Sequence, residues 1–126
     1  MAYWDWKRTD ISELIGKTFT KVIKSGSDDE ITFECNDGQT YKMYHEQDCC
    51  ESVYIEDING ELEWLVDTPI LKAEECTNND NPKDEYDESF TWTFYNFGTI
   101  KGYVTIRWYG ESNGYYSEGV DIVYKN

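Results

Sequence analysis

Basic residues are scarce in this sequence. Lys and Arg number 11 against 26 Asp and Glu, which leaves a formal net charge of −15. There is no basic stripe to follow a phosphate backbone, and a field of this sign repels nucleic acid and anionic membranes. Long apolar runs are also missing: nothing approaches the ~20 residues a bilayer-spanning helix needs. Residues 1–6 lack the basic and apolar regions of a secretion signal. No P-loop and no GxGxxG is present, so the common phosphate cradles are not signalled. Histidine occurs once, at His45. No linker, internal repeat or low-complexity block divides the chain, so residues 1–126 are expected to form a single β-rich domain. A chain of this length buries roughly two thirds of its unfolded surface, enough for a core without staples. With no export signal, Cys35, Cys49, Cys50 and Cys76 are expected as reduced thiols in a cytoplasm.

What the sequence does have is aromatic side chains, 17% of the residues, with 5 Trp and 11 Tyr. They concentrate between Glu88 and Tyr124, in three alternating runs. Phe90, Trp92 and Phe94 share one face of the first, and Val104, Ile106 and Trp108 one face of the second. Val120, Ile122 and Tyr124 share a face of the third. Period-two alternation of aromatic and β-branched residues marks half-buried strands. Gly98-Thr99 and Asn113-Gly114 supply the turns, the latter with residue types that tolerate positive φ. The pattern predicts an antiparallel meander with Trp92, Phe94, Val104, Ile106, Trp108 and Ile122 buried.

A first meander is expected upstream, from Lys17–Lys24, Glu30–Cys35 and Gln39–His45, with turns at Ser25–Asp29 and Asn36-Asp37-Gly38. Further strands are expected at Val53–Ile55 and Ile70–Cys76. Short helices are expected near Ser12–Ile15, capped by Asp10 and ended by Gly16, and near Glu61–Val66, ended by Pro69. Ile11, Leu14 and Ile15 would then face the core, and Trp4 and Trp6 would pack as a lid or edge. The fold class is therefore mainly β, α+β at the margin, with six to eight mostly antiparallel strands.

Charge is unevenly placed. Between Asp28 and Glu88 there are 20 acidic and 3 basic residues, a net of −17. Such a stretch attracts basic protein surfaces or cations, or serves only to keep an aromatic-rich chain soluble. His45, Cys49 and Cys50, with Cys76 or Cys35 as fourth ligand, have the donor types for zinc. Adjacent cysteines and the lack of a CxxC knuckle argue against it. His45 with Glu46 or Asp48 has the types for general-base chemistry, without a recognisable nucleophile beside it. Glu111 and Asp121 resemble a glycosidase carboxylate pair only as far as abundant acids do by chance. Asn78, Asp80, Asp84 and Glu85 lack the glycine and glutamate spacing of a calcium loop. The stretch Tyr109–Glu118 reads as a hairpin loop or as a ligand rim, with Arg107 as anchor for an anion.

The stretches YHEQDCCESVYIEDI (Tyr44–Ile58) and TIKGYVTIRWYGESNGYYSEGVDI (Thr99–Ile122) resemble a family of small proteins of unassigned function found in tailed phages, prophages and bacterial genomes. The likeness runs from about Gly16 to Ile122. It implies a mobile-element origin and action inside a bacterial cell, and assigns no catalytic residue. With the charge, it leads to the expectation of a non-catalytic, anti-CRISPR-like inhibitor that uses no cofactor. It would bind a basic, nucleic-acid-binding host protein, and neither nucleic acid itself nor a membrane. Glu46, Asp48, Glu51, Glu56 and Asp57 are the candidate contact face, with Asp84, Glu85 and Asp87 as a second group. One alternative is sequestration of a host nucleotide signal by Arg107, Tyr109, Glu111, Asn113 and Tyr115. Another is a metal-binding protein using His45 and the cysteines.

Overall fold

The computed structural model describes residues 6–47, 50–79, 83, 88–114 and 117–125. Two antiparallel sheets pack around one apolar cluster. The strands are β1 (Lys7–Arg8), β2 (Phe19–Lys24), β3 (Glu30–Cys35), β4 (Thr40–Tyr44), β5 (Ser52–Asn59), β6 (Lys72–Asn78), β7 (Ser89–Thr99), β8 (Gly102–Ser112) and β9 (Asp121–Lys125). The five-stranded sheet has the order β1-β9-β4-β3-β2, and the four-stranded sheet β5-β8-β7-β6. The fold is mainly β, as alternation predicts, with nine strands among the described residues rather than six to eight.

The first meander, β2-β3-β4, forms as expected. Ile31, Phe33, Tyr41 and Met43 all point into the core. The second departs from expectation. β7 and β8 form a long hairpin, but β9 leaves β8 and crosses to the other sheet, where it pairs with β4 and β1. The free edge of β8 is taken by β5. Gly110 permits the crossing: a Cβ there would lie 2.4 Å from the Glu118 carbonyl oxygen, so the departing chain rests directly on the backbone of β8.

Both expected helices are single 3-10 turns, Ile11–Leu14 and Leu62–Leu65. Asp10 makes no side-chain cap bond, and positive φ at Gly16 (88°) and Asp67 (63°) turns the chain away soon after each. Ile11 and Leu14 are buried, but Ile15 is exposed, because the turn ends before it can face inward.

On β8, Val104, Ile106 and Trp108 are fully buried, as read from the sequence. On β7 the faces are exchanged. Thr93, Tyr95 and Phe97 point inward, while Trp92 and Phe94 are half-buried on the outer face. The sheets are locked by Phe19, Phe33 and Phe97, with ring centroids 5.0 and 5.8 Å apart. Trp108 Nε1 donates to Met43 Sδ at 3.2 Å, a buried polar contact between the sheets.

Candidate functional site

The exchange of faces on β7 builds the most distinctive surface of the molecule. Registers place Tyr54, Tyr109, Trp92 and Asn78 in one row across the outer face of the four-stranded sheet. Asp57, Arg107, Phe94 and Cys76 form the next. Trp92 lies 4.5 Å from Tyr109 between ring centroids, and Tyr54 lies 6.2 Å from Tyr109 edge-on. Phe90 stacks on Tyr109 with ring centroids 6.1 Å apart. These rings cover one another, which lets Tyr109 be buried on an outward-facing position.

A bulge in β5 between Ile55 and Asp57 swings Glu56 toward Arg107. The Arg107 guanidinium donates to Glu56 through Nε at 2.8 Å and through a second nitrogen, with Asp57 3.8 Å away. The same guanidinium lies over the Trp92 ring, 5.3 Å from its centroid. Lys83 approaches Glu56 from the other side. Its Nζ is 3.8 Å from Glu56, donates to the Tyr54 hydroxyl at 3.0 Å, and lies 5.2 Å from the Tyr54 ring centroid. The backbone N–H of Lys83 donates to the Tyr109 hydroxyl at 3.3 Å. The Tyr54 hydrogen bond raises the Lys83 ammonium above its ordinary pKa. One carboxylate thus holds two cations, each seated on an aromatic ring.

Expected contact and ligand residues meet here. Glu56 and Asp57 share this face with Arg107, Tyr109 and Glu111. Asn113 is exposed in the turn beyond β8. Asp48, Asp84, Glu85, Asp87 and Tyr115 lie outside the described residues, as do Trp4 and Cys49.

Glu51 is a correction. Far from an exposed contact residue, it is buried, with a fully covered side chain beside an almost fully covered His45. His45 Nδ1 donates to the Gly119 carbonyl at 2.7 Å, and Nε2 lies 2.8 Å from Glu51 Oε2. A carbonyl only accepts, so Nδ1 carries a hydrogen, and the Nε2–Glu51 contact is held by one proton between the two groups. Gln47 donates to both the carbonyl and the carboxylate of Glu51. Beside this pair opens a polar cleft of about 390 Å³, with Arg8, Glu46 and Asp121 on its walls. Arg8 pairs with Asp121 at 3.0 Å, and Asp121 accepts the Glu46 backbone N–H at 2.9 Å. Both ring nitrogens of His45 being engaged, the histidine stitches the β4–β5 connection to the segment before β9.

Among the described candidate zinc ligands, Cys35 and Cys76 lie apart from His45. Cys35 ends β3 at the Gln39 side, whereas His45 follows β4 at the Glu30 side. Cys76 lies on the outer face of β6. Among the described residues no group of three His, Cys, Asp or Glu side chains could hold a metal ion. Burial pushes the Cys35 thiol up to about 11. Cys35 and Cys76 are free thiols, but Cys50 is disulfide-bonded, against the expectation of four thiols. That expectation followed from compartment alone, which sets the prevailing redox poise but not the pairing of a particular cysteine.

Sequence reasoning missed Tyr54, Lys83 and the outward role of Trp92. The signal for Trp92 lies in the second half of its own strand, where Tyr95 and Phe97 fall on the opposite parity.

The architecture defines an antiparallel two-sheet β protein with an aromatic, charge-lined outer face. The chain belongs to the family described as a domain of unknown function, DUF7448, whose model matches residues 12–122. No curated protein and no solved structure matches it. No helix among the described residues is long and apolar enough to cross a membrane.

Proposed function

We propose that the protein is a non-catalytic binding module that turns its four-stranded half toward a basic, nucleic-acid-binding partner. In this reading it acts as an anti-CRISPR-like inhibitor does, within the cytoplasm of a bacterium that carries a phage or prophage. Segregation of charge between the chain segments that supply the two sheets carries the reading. Residues 46–118, which contain the four-stranded sheet, hold 17 acidic and 4 basic residues, a net of −13. The remainder, which supplies the five-stranded sheet, holds 9 and 7, a net of −2. All four cations of the acidic half are engaged: Lys72 by Glu74, Lys83 and Arg107 by Glu56, and Lys101 by the Val66 carbonyl. Glu61, Glu63 and Asp67 are exposed, and no ion pair reaches them among the described residues. An unbalanced face of this kind accelerates encounter with a Lys- and Arg-rich groove and is screened by salt.

The test is capture from bacterial lysate at low and high salt, with the wild type and with Glu61→Lys/Glu63→Lys. The reading expects a nucleic-acid-binding partner retained at low salt and lost both at high salt and on reversal. Capture indifferent to salt and reversal would overturn it. The Trp92–Tyr109 row favours a second reading, in which the outer face stacks a nucleobase of a host signal and Arg107 meets its phosphate. Because Arg107 is held by Glu56, that ligand must displace a carboxylate. A thermal-shift series with nucleotides and cyclic nucleotides separates the two.

A further inference from the structure

We infer that Glu56, Tyr54 and Tyr109 form a binding site for a lysyl residue of the partner, and that the protein's own Lys83 occupies it in the free state. The inference rests on the basic-partner reading above and names the group recognised. A residue kept only for solubility leaves its ammonium in water. Lys83 instead engages at both ends: its ammonium meets the Tyr54 hydroxyl, the Tyr54 ring and the Glu56 carboxylate, while its backbone N–H meets the Tyr109 hydroxyl. Side-chain cation and main-chain donor of one residue are read together, as in the recognition of an extended peptide. Carboxylate and aromatic ring are the partners an ammonium selects.

The occupant is also weakly held. Its side chain remains 42% exposed, and exposed ion pairs contribute little. Lys83 is the only basic residue in 79–88, among five acids. A partner that supplies a lysine here, with further basic residues around it, competes with a single internal lysine and meets the Glu56 carboxylate that Lys83 had partly neutralised. Self-occupancy lowers the apparent affinity by the fraction of sites filled, so removing Lys83 is expected to strengthen binding of a lysine peptide.

The experiment is isothermal titration of the whole protein with acetylated, amidated tetralysine at low salt. Lys83→Ala is expected to bind about threefold tighter than wild type. Lys72→Ala removes the same charge from the same sheet face but not from the site, and is expected to change affinity much less. Glu56→Gln in the Lys83→Ala background is expected to abolish the gain. Tyr54→Phe in the Lys83→Ala background, which keeps the ring and loses the hydroxyl, is expected to remove part of the gain. Equal effects of Lys83→Ala and Lys72→Ala, or a gain that survives Glu56→Gln, would overturn the lysine site. Those results would leave the acidic-half reading standing if salt-sensitive capture from lysate persists. Loss of that capture with the tetralysine differences intact would instead reject the reading and keep the site.

Discussion

The two sheets share a core and treat charge in opposite ways. In the five-stranded half, Lys17 meets Asp37, Lys24 meets Asp28, Lys42 meets Glu30 and Arg8 meets Asp121. Positive and negative groups cancel locally along that sheet. In the four-stranded half, acids outnumber cations, and Arg107 and Lys83 converge on a single carboxylate beside aromatic rings. Exposed ion pairs stabilise a fold little, so the difference is not one of stability. It separates a half that is electrically quiet from a half whose field reaches outward.

The comparison depends on inner and outer faces being what they are, and the largest expected effect tests that. Trp108→Ala, in the shared core, should cost about 3–5 kcal/mol in urea denaturation. Trp92→Ala, on the outer face, should cost about 1–2 kcal/mol, from lost stacking on Tyr109 and the lost Arg107 contact. Equal losses would erase the distinction. Next is the seam between the halves. Glu51→Ala leaves Nε2 of the covered His45 without its partner, and should cost about 3 kcal/mol. A change below 1 kcal/mol would show that the seam does not hold the halves together.

Gly110→Ala comes third. Its Cβ would meet the Glu118 backbone at 2.4 Å, and a cost of about 1–3 kcal/mol is expected from overpacking. Gly26→Ala in the five-stranded half meets nothing within 4 Å and should be close to neutral. The smallest effect is acidic. The Lys17 ammonium holds the Asp37 carboxyl below its ordinary value of 3.8. The folded pKa being the lower one, this contribution is present above the unfolded value and disappears as pH falls through the lowered folded value. Asp37→Asn should flatten that small part of the acid limb in a pH series of urea midpoints. An unchanged limb would show the pair to be ineffective.

Much of the architecture was legible from alternation. β3, β4 and β8 carry unambiguous period-two patterns, and the inward residues of β8 are the ones expected. β7 misled because both of its faces are aromatic. Phe90, Trp92 and Phe94 outweigh Thr91 and Thr93 in its first half, but Tyr95 and Phe97 decide the parity of the whole strand. Period alone cannot choose a face when both are apolar. The destination of β9 was illegible for another reason, since Asn113-Gly114 signals a turn but not which strand edge is open beyond it. At the site, Arg107 was legible as an anchor on the Tyr109 side. The bulge that delivers Glu56 to it, and the arrival of Lys83 from between β6 and β7, leave no periodic trace.

The crossing of β9 has a consequence for how the protein is made. The four-stranded sheet is cut from one continuous stretch, residues 52–112, whereas the five-stranded sheet gathers strands from residues 7–44 and then waits for residues 121–125. During synthesis the acidic half can therefore assemble while its neighbour still lacks the interior strand that joins β1 to β4. Closing that gap brings together positions about a hundred residues apart, the slow kind of contact. Ribosome-held chains of increasing length should show protection of Trp108 only once β9 has emerged, and early protection would mean that the β2-β3-β4 meander covers the core unaided.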